Sequence, residues 1–338
     1  MGILEKIDGI LGKIQKYIVL TFGTLTILII LAQVIYRYVL KLSMGWYSYL
    51  ILIFYMWALL TAIAYTQRLD RHVSFSAVVD RMSPGRQEYQ QGVEFGRKIA
   101  AAGFMVITGA GSGIMQAGHE GAGADMSFGV NIRLPWETSA NPLIREDKKL
   151  VTFKYFFTRK LIFIRHADAI ALFPGGFGTM DEGYEALTLM QTGKSQLMPL
   201  VLIDRPGGNY WKTWDRQVRE HLLRNGLVSP EDLALYQVTD DADEAVKIIT
   251  RFYRNFHSSR FVKDLFVIRL NHAPSARALE AINGDFADIN IGPPIKRIAP
   301  TPQERADNDH TDLPRIAFKF NRRDYSRLRQ LVDALNSV

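Results

Sequence analysis

The chain has 338 residues, 48% of them hydrophobic and 22% charged, enough for roughly two domains with ordinary cores. It contains no cysteine, which excludes disulfide frameworks, thiolate metal sites and cysteine nucleophiles. Residues 1–90 hold nine Lys/Arg and five Asp/Glu, so +4 of the formal +7 lies near the N-terminus beside apolar segments, which points to a membrane surface and not to nucleic acid.

From Tyr17 to Tyr36 there are twenty uncharged residues, and as a helix this run spans about 30 Å, the hydrocarbon thickness of a bilayer. A second uncharged stretch runs from Leu42 to Gln67. Two membrane spans are expected, with Tyr17, Tyr36, Tyr38, Trp46, Tyr47 and Tyr65 near their ends, where amphipathic rings favour the headgroup region. Lys6, Lys13 and Lys16 precede the first span and Arg68, Arg71 and Arg81 follow the second, so the positive-inside bias puts both ends in the cytoplasm. The rivals are a cleaved signal peptide, for which no small-residue cleavage site follows the first run, and a buried soluble hairpin.

Ile35-Tyr36-Arg37-Tyr38-Val39, Trp46-Tyr47-Ser48-Tyr49, Arg71-His72-Val73-Ser74-Phe75 and Val78-Val79-Asp80-Arg81-Met82 resemble the first half of the small membrane subunit of TRAP transporters. That resemblance implies an inner-membrane location and partnership with a large transport subunit. The family has four spans, and nothing in this chain matches its third and fourth.

After Ser83-Pro84-Gly85 the pattern becomes that of an α/β protein. Glu88 to Ala102 reads as an amphipathic helix with Val93, Phe95, Ile99 and Ala100 as its buried side. Phe104 to Thr108 is a strand feeding Gly109-Ala110-Gly111-Ser112-Gly113-Ile114-Met115, and a glycine-rich turn opening a helix brings backbone N–H groups close to a phosphate. Ala169 to Phe173 is a second strand, ending in Pro174-Gly175-Gly176-Phe177-Gly178-Thr179 and followed by a helix expected from Asp181 to Gln191. On that reading Asp181, Glu182 and Glu185 occupy the helix's first turns, where they complement its dipole. Leu200 to Ile203 is a strand, and Trp211 to Arg224 and Ala242 to Phe256 are helices. Beyond residue 258 a smaller unit follows, with strands at 265–268 and 315–320, helices at 275–282 and 325–335, and a polar loop over 300–312. The expected organisation is a two-span anchor (1–83), a doubly wound Rossmann-like parallel sheet (84–257) and a small α/β extension (258–338).

Pro174-Gly175-Gly176-Phe177-Gly178-Thr179-Met180-Asp181-Glu182 matches the PGGxGTxxE signature of the LOG ("lonely guy") phosphoribohydrolases, once labelled lysine decarboxylases. Thr108 to Met115 resembles that family's first glycine loop, and Phe156-Phe157-Thr158-Arg159-Lys160 its arginine motif. Glu185 to Lys194 resembles the helix after the signature, and Asn131-Ile132-Arg133-Leu134-Pro135 fits the longer branch. The family cleaves the N-glycosidic bond of nucleoside 5′-monophosphates, and its members begin with a central strand and an FGSxR loop. Here His72 to Met82 stands in that place, with Val73 to Val79 as the available substitute strand.

The resemblance implies Arg159 and Glu182 as catalytic residues. It implies Gly109, Gly111, Gly113, Lys160, Gly175, Gly176, Gly178, Thr179 and Glu185 as substrate-binding residues. N–H groups at Gly176, Gly178 and Thr179, with the Thr179 hydroxyl, suit a phosphate, and a carboxylate at Glu182 suits an oxocarbenium-like ribose and its attacking water. Taken alone, Arg159 reads more readily as a snorkelling surface arginine among Lys154, Lys160 and Arg165. His119 and His166 are given no role, no donor for the leaving base is identified, and no metal or cofactor is required. A purine nucleotide is the expected substrate and a homo-oligomer the expected assembly. The alternatives are a nucleotide sensor without turnover and a transporter accessory subunit.

Overall fold

The computed structural model describes residues 21–22, 24–31, 53, 85–132 and 140–337. The chain divides into two compact units, 1–81 and 82–338. In the first, residues 24–31 are helical, with Leu25, Ile27, Leu28, Ile30 and Leu31 exposed and the Thr26 hydroxyl donating to the Phe22 carbonyl at 2.8 Å. Half of the first expected span, nearly all of the second, and the segment Val73 to Val79 lie outside the described residues. Among those described, no helix is long and apolar enough to cross a membrane.

The second unit opens with α1 (Arg86–Ala101), two residues earlier than the sequence suggests. Phe95 and Ile99, four residues apart, are buried, while Glu94 and Arg97 face solvent; Val93 and Ala100 are only partly covered. There follow β1 (Val106–Thr108), α2 (Ile114–Ala122), β2 (Ser127–Ile132), β3 (Leu150–Phe153), α3 (Phe156–Arg165) and β4 (Ile170–Leu172). Next come α4 (Phe177–Gln191), β5 (Leu200–Ile203), α5 (Tyr210–Gln217), β6 (Gln237–Thr239) and α6 (Ala242–Phe252). The expected helix from Trp211 to Arg224 is α5 plus a π-helical turn, Val218–Leu223.

The strands are parallel and joined through helices, as parallel pairing requires. They run in the orders β1-β2-β3 and β4-β5-β6, with Ile107 opposite Phe128, Gly129 opposite Leu150 and Ala171 opposite Val201. These are the two halves of a Rossmann order, 3-2-1 and 4-5-6. This parallel sheet with helices is the Rossmann-like arrangement expected; among the described residues β1 and β4 each pair on one side alone. What they share is a helical cover. Phe95 and Ile99 of α1 and Ala245, Ile248 and Ile249 of α6 form one cluster with Val201 and Ile203 of β5, and Val106 and Ala171 pack against it.

The expected helix from Ala242 to Phe256 stops at Phe252, because Asn336 takes over the backbone beyond it. The Asn336 Oδ1 accepts from the N–H groups of Asn255 and Phe256, each at 2.8 Å, and Phe256 starts a strand. The antiparallel sheet that follows contains β7 (Phe256–Val262), β8 (Leu265–Leu270), β9 (Lys296–Ile298) and β10 (Arg315–Phe318) in the order β7-β8-β10-β9, with α7 (Ala276–Asp285), α8 (Pro302–Ala306) and α9 (Tyr325–Leu335). The short α8 interrupts the expected loop because Thr301 and Glu304 form a capping box around Pro302. One core runs from Met190 of α4, Leu200 and Leu202 of β5 and Trp211 of α5 to Phe266, Ile268, Phe318, Leu328 and Leu331. The C-terminal sheet thus backs the half-sheet that carries β4.

The crossing of α1 over α2 depends on Gly121. A Cβ there would overlap the Val93 carbonyl oxygen and lie 2.8 Å from the Arg97 backbone nitrogen, and neither can move without shifting the helix. In an exposed helix a glycine-to-alanine change is worth up to ~1 kcal/mol of stability; here overpacking, typically ~1–3 kcal/mol, reverses the sign. Gly121→Ala is expected to lower the free energy of unfolding by about 2 kcal/mol in urea denaturation.

Candidate functional site

The site is built at the carboxyl ends of β1 and β4, where an open parallel sheet receives ligands. After β4 the chain passes Pro174 and Gly175 and enters α4 directly at Phe177, with Gly176 as its cap and no side chain covering the helix end. Gly176 is in ordinary extended backbone (φ −91°), and a Cβ on Gly176 or on Gly178 would meet nothing within 4 Å. Neither position needs glycine for its own fold, so the bareness leaves a free approach to the orphan N–H groups of the helix start. Thr179 lies against Gly175, and the Tyr210 hydroxyl donates to the Gly175 carbonyl at 2.6 Å.

Because the helix begins at Phe177 and not at Asp181, its first turn contains no acid. The expectation that Asp181, Glu182 and Glu185 serve the helix dipole is corrected: Asp181 and Glu182 lie in the second turn and Glu185 in the third. Their partner is α3. Lys160 Nζ is 2.6 Å from Asp181 Oδ2 and 2.5 Å from Glu185 Oε2. Burial works against the lysine's charge, but the two carboxylates outweigh it and hold its pKa above the usual range. Glu182, between them in sequence, makes no such pair. Its Oε2 is buried without a hydrogen bond among the described residues. Burial, aided by Asp181 and Glu185, raises the Glu182 pKa above the usual carboxylate range, and Lys160 and Arg159 oppose that rise.

Arg159 is half-buried, with its guanidinium 4.6 Å from the Phe156 ring. A Cβ on Gly109 would stand 3.7 Å from Arg159 Nη1, so the arginine reaches the first glycine loop while its field reaches Glu182. That loop is held from behind. Gly113 (φ 67°) caps α2, Met115 lies over Gly109 and Gly111, and Asn141 donates to the Gly111 carbonyl at 3.1 Å and through its backbone to Ala110 at 2.8 Å. Asn141 Nδ2 also lies 3.2 Å from His119 Nδ1. An amide NH₂ only donates, so Nδ1 is bare and Nε2 carries the proton toward the Phe128 carbonyl and the Thr108 hydroxyl, at 3.3 and 3.0 Å. Fully buried, with its pKa lowered by desolvation, His119 is a neutral structural hub behind the loop.

Arg159, Lys160, Glu182 and Glu185 are thus brought together, and Gly109 lies beside them. Arg133, Leu134 and Pro135 fall outside the described residues. Sequence reasoning missed Asp181 as a partner of Lys160, and it missed Tyr210. The i, i+4 spacing of Asp181 and Glu185 was the available signal for the first; Tyr210 reaches Gly175 across 35 positions and leaves no local trace. Beneath α4, a narrow apolar crevice lined by Thr179, Met180, Tyr184, Trp211 and Trp214 has room on the order of one water and none for a nucleotide.

Residues 109–249 match the family model described as "Possible lysine decarboxylase". The segment is LOG-like. The chain is 29% identical over 176 residues to a cytokinin riboside 5′-monophosphate phosphoribohydrolase of Mycobacterium tuberculosis, across 51% of this chain and 90% of that protein. It is 28% identical over 157 residues to a pyrimidine/purine nucleotide 5′-monophosphate nucleosidase of Escherichia coli K12, across 42% of this chain and only 34% of that one. Residues 26–134 match the DctQ component of tripartite ATP-independent periplasmic transporters. The two family matches overlap over 109–134, and the described part of that overlap folds with the LOG-like segment, as α2 and β2.

The raised pKa of Glu182 fixes a sign. Between the ordinary glutamate pKa and the folded value, the native state keeps a proton that the unfolded chain has released, so stability falls as pH rises through that window. Glu182→Gln removes this penalty. Its Tm should exceed that of the wild type above the window, and the gain should vanish below it in thermal melts followed against pH.

Proposed function

We propose that the LOG-like segment hydrolyses the N-glycosidic bond of a purine nucleoside 5′-monophosphate, releasing free base and ribose 5-phosphate. The observation that carries this reading is the convergence of Arg159 from α3 and Glu182 from α4, whose Oε2 is buried without a hydrogen bond among the described residues, beside two glycine turns. The 5′-phosphate occupies the bare start of α4, taking N–H groups of Gly176, Gly178 and Thr179, with Arg159 as its counter-charge. The C1′–N bond breaks with its electron pair going to the base, which takes up a proton. Water adds to C1′ and gives its proton to Glu182, whose charge also steadies the oxocarbenium-like ribose. Lys160 offsets part of the charge of Asp181 and Glu185, and Glu182 presents its own negative charge to the sugar beside them.

Residues 1–83 are read as a membrane anchor with both ends cytoplasmic, residues 84–257 as the hydrolase domain and 258–338 as its extension. The transporter-like match and the exposed apolar helix at 24–31 support the anchor. Exposed Phe157, Leu161 and Phe177 around the site support pairing with a second copy. Partnership with a large transport subunit would show as co-purification.

Purified protein incubated with AMP should release adenine. Glu182→Gln should reduce kcat by roughly 10²–10⁴, the usual worth of a general acid–base group, and Arg159→Ala should raise KM as well. The acid limb of kcat/KM should lie above the ordinary glutamate range, because the base must lose its proton first. Tight AMP binding without release would replace hydrolysis by sensing.

A further inference from the structure

We infer that Tyr210 is a positioning residue that sets the Gly175–Gly176 peptide so that one of its faces can bind a phosphate. This rests on the reading of the α4 start as the phosphate site. The Tyr210 hydroxyl donates to the Gly175 carbonyl at 2.6 Å. That carbonyl and the Gly176 N–H belong to one peptide plane, and in a trans peptide they point in opposite directions. Holding the oxygen toward α5 therefore turns the Gly176 N–H away from it, and this N–H makes no hydrogen bond among the described residues.

A peptide between two glycines needs such a hold. Neither residue has a Cβ to bar the alternative dihedrals, and a side chain at Gly176 would find open space, whereas one at Gly175 would strike Thr179. Without the phenol, the plane can turn over and present a carbonyl oxygen to the anion in place of an N–H. The phenol is itself fixed. Tyr210 is the first residue of α5, its ring meets Trp211 edge-on at 4.8 Å, and the neighbouring Trp211 N–H donates at 2.9 Å to the carboxylate of Asp204, 2% exposed at the end of β5. Burial raises the pKa of Tyr210, which keeps the O–H in place as a donor.

Tyr210→Phe keeps the ring and removes the donor. By calorimetry the affinity for ribose 5-phosphate should fall about ten- to hundredfold, the scale of one hydrogen bond to a charged group. KM for AMP should rise in step while kcat stays within about twofold, since the bond acts on binding and not on the reacting carbon. Weak binding of ribose, which lacks the phosphate, should be unchanged. Trp211→Phe disturbs the same turn but leaves the phenol, so it should lower Tm while sparing the affinity for ribose 5-phosphate. The inference is overturned if Tyr210→Phe binds ribose 5-phosphate like the wild type, or if Trp211→Phe weakens that binding as much. Wild-type protein that fails to bind ribose 5-phosphate at all would instead remove the reading of the site on which the inference stands.

Discussion

The site depends on one ion cluster: the Lys160 ammonium held between Asp181 and Glu185. Three carboxylates within five residues of one helix repel one another and would splay or protonate if left alone. A single lysine from α3 pairs with the outer two, offsets one of their two charges and ties that helix to α4. Its neighbour Arg159 is thereby delivered to the first glycine loop, and the middle acid makes no ion pair with the lysine. The cluster sets a distance: it brings the guanidinium and the Glu182 carboxylate within each other's field.

Behind this cluster the two loops are held by different means. The first is buttressed by a buried polar hub, in which Asn141 and His119 satisfy backbone groups of the glycine turn and of β2. The second has an open front, and its hold comes from underneath, through the α5 phenol and the core that α4 shares with the C-terminal sheet. That core explains why the extension matters to a site it never enters: Met190 on α4 is packed with Leu328 and Leu331 of α9, so the helix bearing Glu182 is braced along its rear.

Much of this was legible in the chain. The strand-then-glycine pattern located both loops, whereas Glu182 was singled out only by the resemblance of its run to the PGGxGTxxE signature, since from the residues alone its acids read as partners of the helix dipole. The continuous apolar run at 200–203 located β5, and the helix read at 325–335 is α9. What escaped has a common cause. The start of α4 at Phe177 was misplaced because two glycines argue against helix locally, and packing of Gly183 and Ala186 on the sheet overrides them. The end of α6 was misplaced because Asn336, more than eighty positions away, captures the next amides. The described strands form two parallel halves, β1-β2-β3 and β4-β5-β6, in the order that a doubly wound fold requires.

That last feature has a consequence for the chemistry. Arg159 hangs from the half-sheet of β1, β2 and β3, and Glu182 from the half-sheet of β4, β5 and β6, and among the described residues no backbone ladder joins β1 to β4. The α1 and α6 cover and the Lys160 pairs both span the join. The gap between guanidinium and carboxylate is then tied to side-chain packing on the far side of the sheet as well as to the lysine, and a change as remote as trimming Phe95 or Ile248 would act there as a change of jaw opening.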